Sequence, residues 1–221
     1  ADVSGGDLVV RNNGQLVLAT RSGGYLKEIG MGGAANSVIG NVADDVTGLA
    51  LTDNGDFLFS ANGESSLEGR AADGSDNGVS IPLVLNNASF QHNNGDLTSA
   101  CLDAPDLEGD CQDFRFFYVN HGPGVSGSDL YKVEFSGLAA TLTPLLNVNY
   151  ETHIGYNAQS NIVYLANANG NFVEFYDVAN DVVSGSVPIL GNINQLYAVV
   201  YNSEDGLLYV GDAGDDKIYT I

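Results

Sequence analysis

Basic side chains are scarce in this sequence: 7 Lys and Arg stand against 28 Asp and Glu, for a formal net charge of −21 and a pI near 4.1. That balance excludes nucleic acid as a partner, because phosphate contacts need clustered Lys and Arg. No apolar run approaches the roughly 20 residues that carry a helix across a bilayer, so no transmembrane segment is expected. Residues 1–10 lack a basic start followed by an apolar stretch, and any export signal is expected to have been removed already. Charged residues make up only 16% of the 221 positions against 44% apolar ones, which excludes a disordered chain and suits one large globular unit.

Cysteine is equally sparse. Cys101 and Cys111 are the only two, they form no CxxC motif, and with 3 His they are too few for a zinc site. They enclose LDAPDLEGD, and the pair reads as a disulfide stapling one loop in an oxidising compartment, or else as two buried thiols of a cytosolic protein. Catalytic signatures of the GxSxG, HExxH, Walker and dinucleotide-binding kinds are missing. Helical periodicity is almost absent.

What is present is a repeat. GDLVVRNNGQLVLAT (Gly6 to Thr20) lies over TGLALTDNGDFLFSA (Thr47 to Ala61) without a gap, each a strand, a polar turn and a second strand. The second strand recurs around Tyr118, Tyr164 and Tyr209, so that Leu18, Phe59, Tyr118, Tyr164 and Tyr209 follow one another at steps of 41, 59, 46 and 45 residues. Steps of this size are those of propeller blades, and the long step contains the Cys101–Cys111 loop as an insertion. Short Val, Leu, Ile, Tyr and Phe runs are bounded by NNG, DNG, QSN and EDG turns that favour tight hairpins. The fourth unit predicts strands near Thr152–Tyr156, Ile162–Ala166, Phe172–Asp177 and Val187–Leu190, the four antiparallel strands of a blade.

The fold expected is therefore an all-β propeller of four-stranded antiparallel blades, with units near 6–45, 46–87, 88–150, 151–195 and an incomplete 196–221. Because Ile221 falls at the end of a third strand, the chain is expected to continue into a ring of six to eight blades; an open stack would leave exposed edges.

Tyr118-Val119-Asn120, Tyr164-Leu165-Ala166-Asn167 and Tyr209-Val210-Gly211-Asp212, with Phe172 to Asp177 and Lys217 to Ile221, resemble the YVTN and NHL classes of propeller repeat. Leu18-Ala19-Thr20 departs from that pattern in the first unit. The acidic, Gly/Asn/Asp-rich style resembles secreted or surface proteins of marine Bacteroidetes.

In a propeller the loops after the second strands share one face, which gathers Arg21, Asn62, Glu64, His121, Asn167 and Asp212 at one channel mouth. That set suits a sugar, a peptide or a cation, although Asn and Asp also serve turns for backbone reasons. His121 in NHGPG, with His153 near Glu151 in the next unit, is the nearest approach to an acid-base group. Asp103, Asp106, Glu108 and Asp110, with Asp113, form a candidate Ca²⁺ site. Asp73 to Gly78 copies the start of an EF-hand loop but has Val84 where the bidentate Glu belongs.

These readings imply a secreted or cell-surface binding or adhesion module for protein or carbohydrate. A calcium-assisted hydrolase or lyase, or a structural part of a larger extracellular assembly, are the alternatives.

Overall fold

The computed structural model describes residues 6–11, 13–20, 22–30, 36–93, 95–101, 114–121, 128–136, 139–148, 150, 152–167, 172–189, 196–212 and 217–221. Twenty strands lie among them and no helix. They fall into five consecutive groups. The first holds β1 (Gly6–Val10), β2 (Leu16–Thr20), β3 (Tyr25–Glu28) and β4 (Ser37–Asn41). The second holds β5 (Val46–Leu51), β6 (Phe57–Ala61), β7 (Ser66–Arg70), β8 (Asp76–Leu85) and the short β9 (Ala88–Ser89). The third is β10 (Asp96–Cys101), β11 (Phe114–His121), β12 (Ser128–Ser136) and β13 (Ala139–Val148). The fourth is β14 (Thr152–Asn157), β15 (Ile162–Asn167), β16 (Phe172–Asp177) and β17 (Val182–Pro188), and the fifth is β18 (Leu196–Asn202), β19 (Leu207–Asp212) and β20 (Lys217–Thr220).

Within each group the strands are antiparallel meanders whose turns are set by local chemistry. Gly14, Gly55 and Gly206 close three of the hairpins in the left-handed region, at φ 77, 81 and 74°, and Asn161 closes a fourth at 55°. These are the NNG, DNG, EDG and QSN turns, and Gly, with Asn and Asp after it, enters that region at the least cost.

The sheet layout departs from five separate four-stranded units. The first and fourth groups are four-stranded sheets, but the second and third join into one nine-stranded sheet through a short parallel pairing of β13 with β8, Ala140 with Leu83 and Thr141 with Val84. The fifth sheet has three strands among the described residues. The fourth strand expected at Val187–Leu190 runs instead over Val182–Pro188, where a register shift beside Phe175 and Tyr176 bends the pairing.

Five apolar clusters lie at the junctions between groups, and strand alternation builds them. Val17 and Ala19 of β2 point into a cluster with Leu49, Phe57 and Phe59 of the second group, while Leu16 and Leu18 point the other way, onto Ala198, Val200 and Tyr209 of the fifth. Leu58, Leu67 and Leu83 meet Phe116, Tyr118 and Tyr131; Phe117 and Val119 meet Ile154, Tyr156 and Val163; Val173 and Ile189 meet Leu196, Val199 and Val210. Each sheet thus buries both faces, so a full side chain at these positions carries about 1.5–3 kcal/mol of burial.

The first strands of the groups are neighbours in sequence order, β1 with β5, β5 with β10, β10 with β14 and β14 with β18, and β18 lies against β1. Leu8 and Leu18 of the first group pack directly on Ala198 and Tyr209 of the fifth, so contacts among the described first strands run in a cycle through the five groups.

Candidate functional site

The starts of the first strands pair with the ends of the second strands: Gly6 with Thr20, Val46 with Ala61, Thr152 with Asn167 and Leu196 with Asp212. Several buried polar groups lie at this end of the cycle. Asp7, Thr47, Asp96, Thr152, His153 and Asp212 are each less than 5% exposed.

Two of these residues repeat one geometry. Asp7 Oδ1 accepts the amide of Leu8 at 2.7 Å, and its Oδ2 accepts the amide of Leu49, in the next group, at 2.5 Å. Asp96 Oδ1 accepts the amide of Leu97 at 2.7 Å and Oδ2 accepts that of Ile154, again in the next group, at 2.7 Å. Each carboxyl caps its own strand and ties it to its neighbour. The residues before Leu49 and Ile154 are Gly48 and His153, so positions 7, 48, 96 and 153 are equivalent around the cycle.

Gly48 fits this place because it has no side chain. A Cβ there would lie 2.7 Å from the Leu97 amide nitrogen and 3.0 Å from the carbonyl carbon of Asp96, and would strike Ser60 Oγ. Ser60 is fully buried and its hydroxyl has no hydrogen-bond partner among the described residues. Between the second and third groups the tie is made instead by Ser99, whose hydroxyl donates to Leu51 O at 2.6 Å and accepts from Leu51 N at 3.0 Å.

Burial first, and then the neighbouring Asp96, push the Asp7 pKa well above the carboxylate range, against a smaller pull from the Leu49 and Leu8 amides. His153 Nδ1 lies 3.5 Å from Asp96 Oδ2. A second buried chain runs from Thr47 Oγ1 to His92 Nε2 at 2.5 Å, from His92 Nδ1 to the Tyr118 hydroxyl at 2.5 Å, and on to Asn120 Oδ1 at 3.1 Å. Burial, and then the neighbouring Tyr131, raise the Tyr118 pKa well above its usual value.

Of the residues expected at the mouth, Asn62 follows β6, half-buried, with its amide nitrogen 3.2 Å from Asp45 Oδ2, and Glu64 is exposed beside it. Asn167 and Asp212 end β15 and β19, and both are buried, at 8% and 1% exposure. His121 ends β11 opposite Ser128, but its side chain lies outside the described part. Arg21, Glu151, Asp103, Asp106, Glu108, Asp110, Asp113 and Cys111 lie outside the described residues, as does the side chain of Cys101. The structure thus brings four strand ends to one side and leaves only the Asn62–Glu64 corner open among the described members.

In the segment resembling an EF-hand, Asp73 Oδ1 accepts from Ser75 N at 2.9 Å and Ser75 Oγ at 2.6 Å, and Asp76 accepts from Gly78 N at 2.9 Å; these are turn bonds. Among the described residues no group of three or more His, Cys, Asp or Glu side chains is arranged to hold a metal ion.

Asp7, Asp96 and His92 are the buried groups that a reading of the loops misses. A signal for the two acids is present in the sequence: Gly-Asp-Leu recurs at Gly6-Asp7-Leu8 and Gly95-Asp96-Leu97, at the start of two first strands.

No protein-family model matches the sequence, and no curated protein matches it. Solved structures do match in fold. A glutaminyl cyclase from Myxococcus xanthus superposes with a TM-score of 0.62 at 14% identity, covering 99% of this chain and 90% of that one. A gluconolactonase from Xanthomonas campestris gives 0.62 at 12%, covering 99% and 76%. A chain of a nidogen/laminin complex gives 0.59 at 12%, covering 98% and 79%. These neighbours are proteins of the β-propeller type, and they include both binding and enzymatic members. The resemblance to Bacteroidetes surface proteins receives no support from them.

Proposed function

We propose that this chain is a five-bladed propeller serving as a non-catalytic binding module, outside the cell or on its surface, for a protein or carbohydrate ligand. The observation that carries this reading is the state of two buried acids at this end of the strands: Asp7 and Asp96 are each bound to two backbone amides. A catalytic acid or base must reach substrate, whereas these groups hold strands together. Recognition then falls to the exposed loops, among which Asn62 and Glu64 form the open corner. The nidogen/laminin neighbour supports a protein ligand.

Two further elements belong to the same reading. A Cys101–Cys111 disulfide would fit an oxidising compartment, and Asp103, Asp106, Glu108 and Asp110 supply the hard oxygen ligands that Ca²⁺ takes. Binding of the purified chain to immobilised glycans and to extracellular-matrix proteins, compared with Glu64→Ala and Asn62→Ala, tests the module. Saturable binding weakened by either substitution is expected. Turnover of a lactone or N-terminal glutaminyl substrate that His121→Ala abolishes with folding intact would contradict it and favour the enzymatic reading, which the cyclase and lactonase neighbours motivate.

A further inference from the structure

We propose that His92 is the positioning residue of the Asn62–Glu64 corner, its imidazole fixed as the Nδ1–H tautomer by hydroxyls of the second and third groups of strands. That the corner takes a ligand rests on the reading above; that His92 holds it in place rests on hydrogen bonds alone.

His92 lies between β9 and β10, and its backbone is bonded to the corner in both directions. Its amide donates to Glu64 O at 2.7 Å, and its carbonyl accepts from Gly63 N at 3.0 Å. Gln91 Nε2 adds a bond to Gly63 O at 2.6 Å. The backbone of Gly63 and Glu64 therefore follows wherever His92 is held.

What holds it is the side chain, which is 1% exposed and has a hydroxyl 2.5 Å from each ring nitrogen, Thr47 of β5 on Nε2 and Tyr118 of β11 on Nδ1. The proton positions follow from the far end of the chain. Asn120 Oδ1 accepts the Asn93 amide at 2.8 Å, which marks that atom as the oxygen. A carbonyl oxygen only accepts, so the Tyr118 hydroxyl, 3.1 Å away, gives its one proton to it. Tyr118 is left with lone pairs to offer His92, and Nδ1 must carry the hydrogen. On the other side Nε2 accepts from Thr47, because a charged ring would stand buried between two neutral hydroxyls. The imidazole cannot turn without breaking both bonds, so it acts as a peg driven between β5 and β11.

Nitrogen-15 spectra of the imidazoles in the full wild-type chain test the tautomer. Protonated Nδ1 with unprotonated Nε2 is expected for His92 at neutral pH; the reverse tautomer, or a ring protonated on both nitrogens, would overturn the proposal, and this measurement needs no variant to fold. Amide exchange tests the positioning. In His92→Phe the Gly63 amide should exchange up to about tenfold faster than in the wild type, while the Gly14 amide, in a hairpin of the first group, keeps its rate. His92→Asn, whose side-chain amide can donate to Tyr118 as Nδ1 does, should restore most of the protection. Equal changes at Gly63 and Gly14, or equal Gly63 rates in the two variants, would overturn it. Neither readout uses a ligand, so a chain that binds no glycan or matrix protein would count against the binding reading alone.

Discussion

Asp7 Oδ2 and the amide nitrogen of Leu49 lie 2.5 Å apart, across the junction between the first and second groups of strands. Asp96 and Ile154 repeat that relationship between the third and fourth. These two bonds add polar ties to junctions that are otherwise packed with apolar side chains, so their loss is expected to show in stability.

Asp96→Ala should be strongly destabilising. It leaves the amides of Leu97 and Ile154 without their acceptor, and an orphaned buried donor costs about 1–3 kcal/mol. A drop in the denaturant midpoint of corresponding size checks this, with Ser99→Ala, which removes the Leu51 tie, expected to cost less.

Gly48 and Gly211 separate close approach from spare room. Gly48→Ala drives a methyl against the Leu97 amide and Asp96 backbone, at 2.7 and 3.0 Å, and overpacking of that kind costs about 1–3 kcal/mol. Gly211→Ala meets Ala198 Cβ at 3.5 Å and Leu8 Cδ1 at 3.7 Å, which is ordinary contact, and its melting temperature should stay near that of the wild type.

His92→Phe keeps an aromatic ring but removes both ring nitrogens of the buried chain, leaving the hydroxyls of Thr47 and Tyr118 short of a bond. A loss of about 1–3 kcal/mol in chemical denaturation is expected. The double variant His92→Phe/Tyr118→Phe should lose less than the sum of the two single changes, because they remove one shared interaction.

At the surface, the Tyr209 hydroxyl donates to Asp205 at 2.6 Å, and this bond is the first cause that holds the Asp205 carboxyl below its usual range. A lowered carboxylate contributes stability above the unfolded pKa that is lost as pH falls through the folded one. Tyr209→Phe should therefore cost stability at neutral pH and little below about pH 2, a difference that acid titration of the melting temperature detects.

Much of the hairpin architecture is legible in the sequence because the inner strands are buried on both faces and their turns need Asn or Gly. Leu16–Thr20 and Phe57–Ala61 are buried at every position, and their turns contain Gly14 and Gly55. The outer strands offer no such pattern. Val182–Pro188 is exposed along nearly its whole length, so neither alternation nor an apolar run marks where it begins. The parallel contact of β13 with β8 involves two residues on each strand and leaves no periodic signature. At the site, the repeat marks Asn167 and Asp212 as the ends of second strands, but their burial follows from packing between sheets, which local patterns do not reveal. The repeated Gly-Asp-Leu is the one local mark of the interior acids.

The direct test of the architecture is the contact between the first and fifth groups, where Leu8 and Ala198 share one apolar cluster. Cysteines introduced as Leu8→Cys and Ala198→Cys, in a chain with Cys101 and Cys111 replaced by Ser, should join within a single molecule on mild oxidation, giving a loop-closed monomer that mass spectrometry identifies. A folded chain in which the two thiols remain free, or link only between molecules, would contradict a cycle of five.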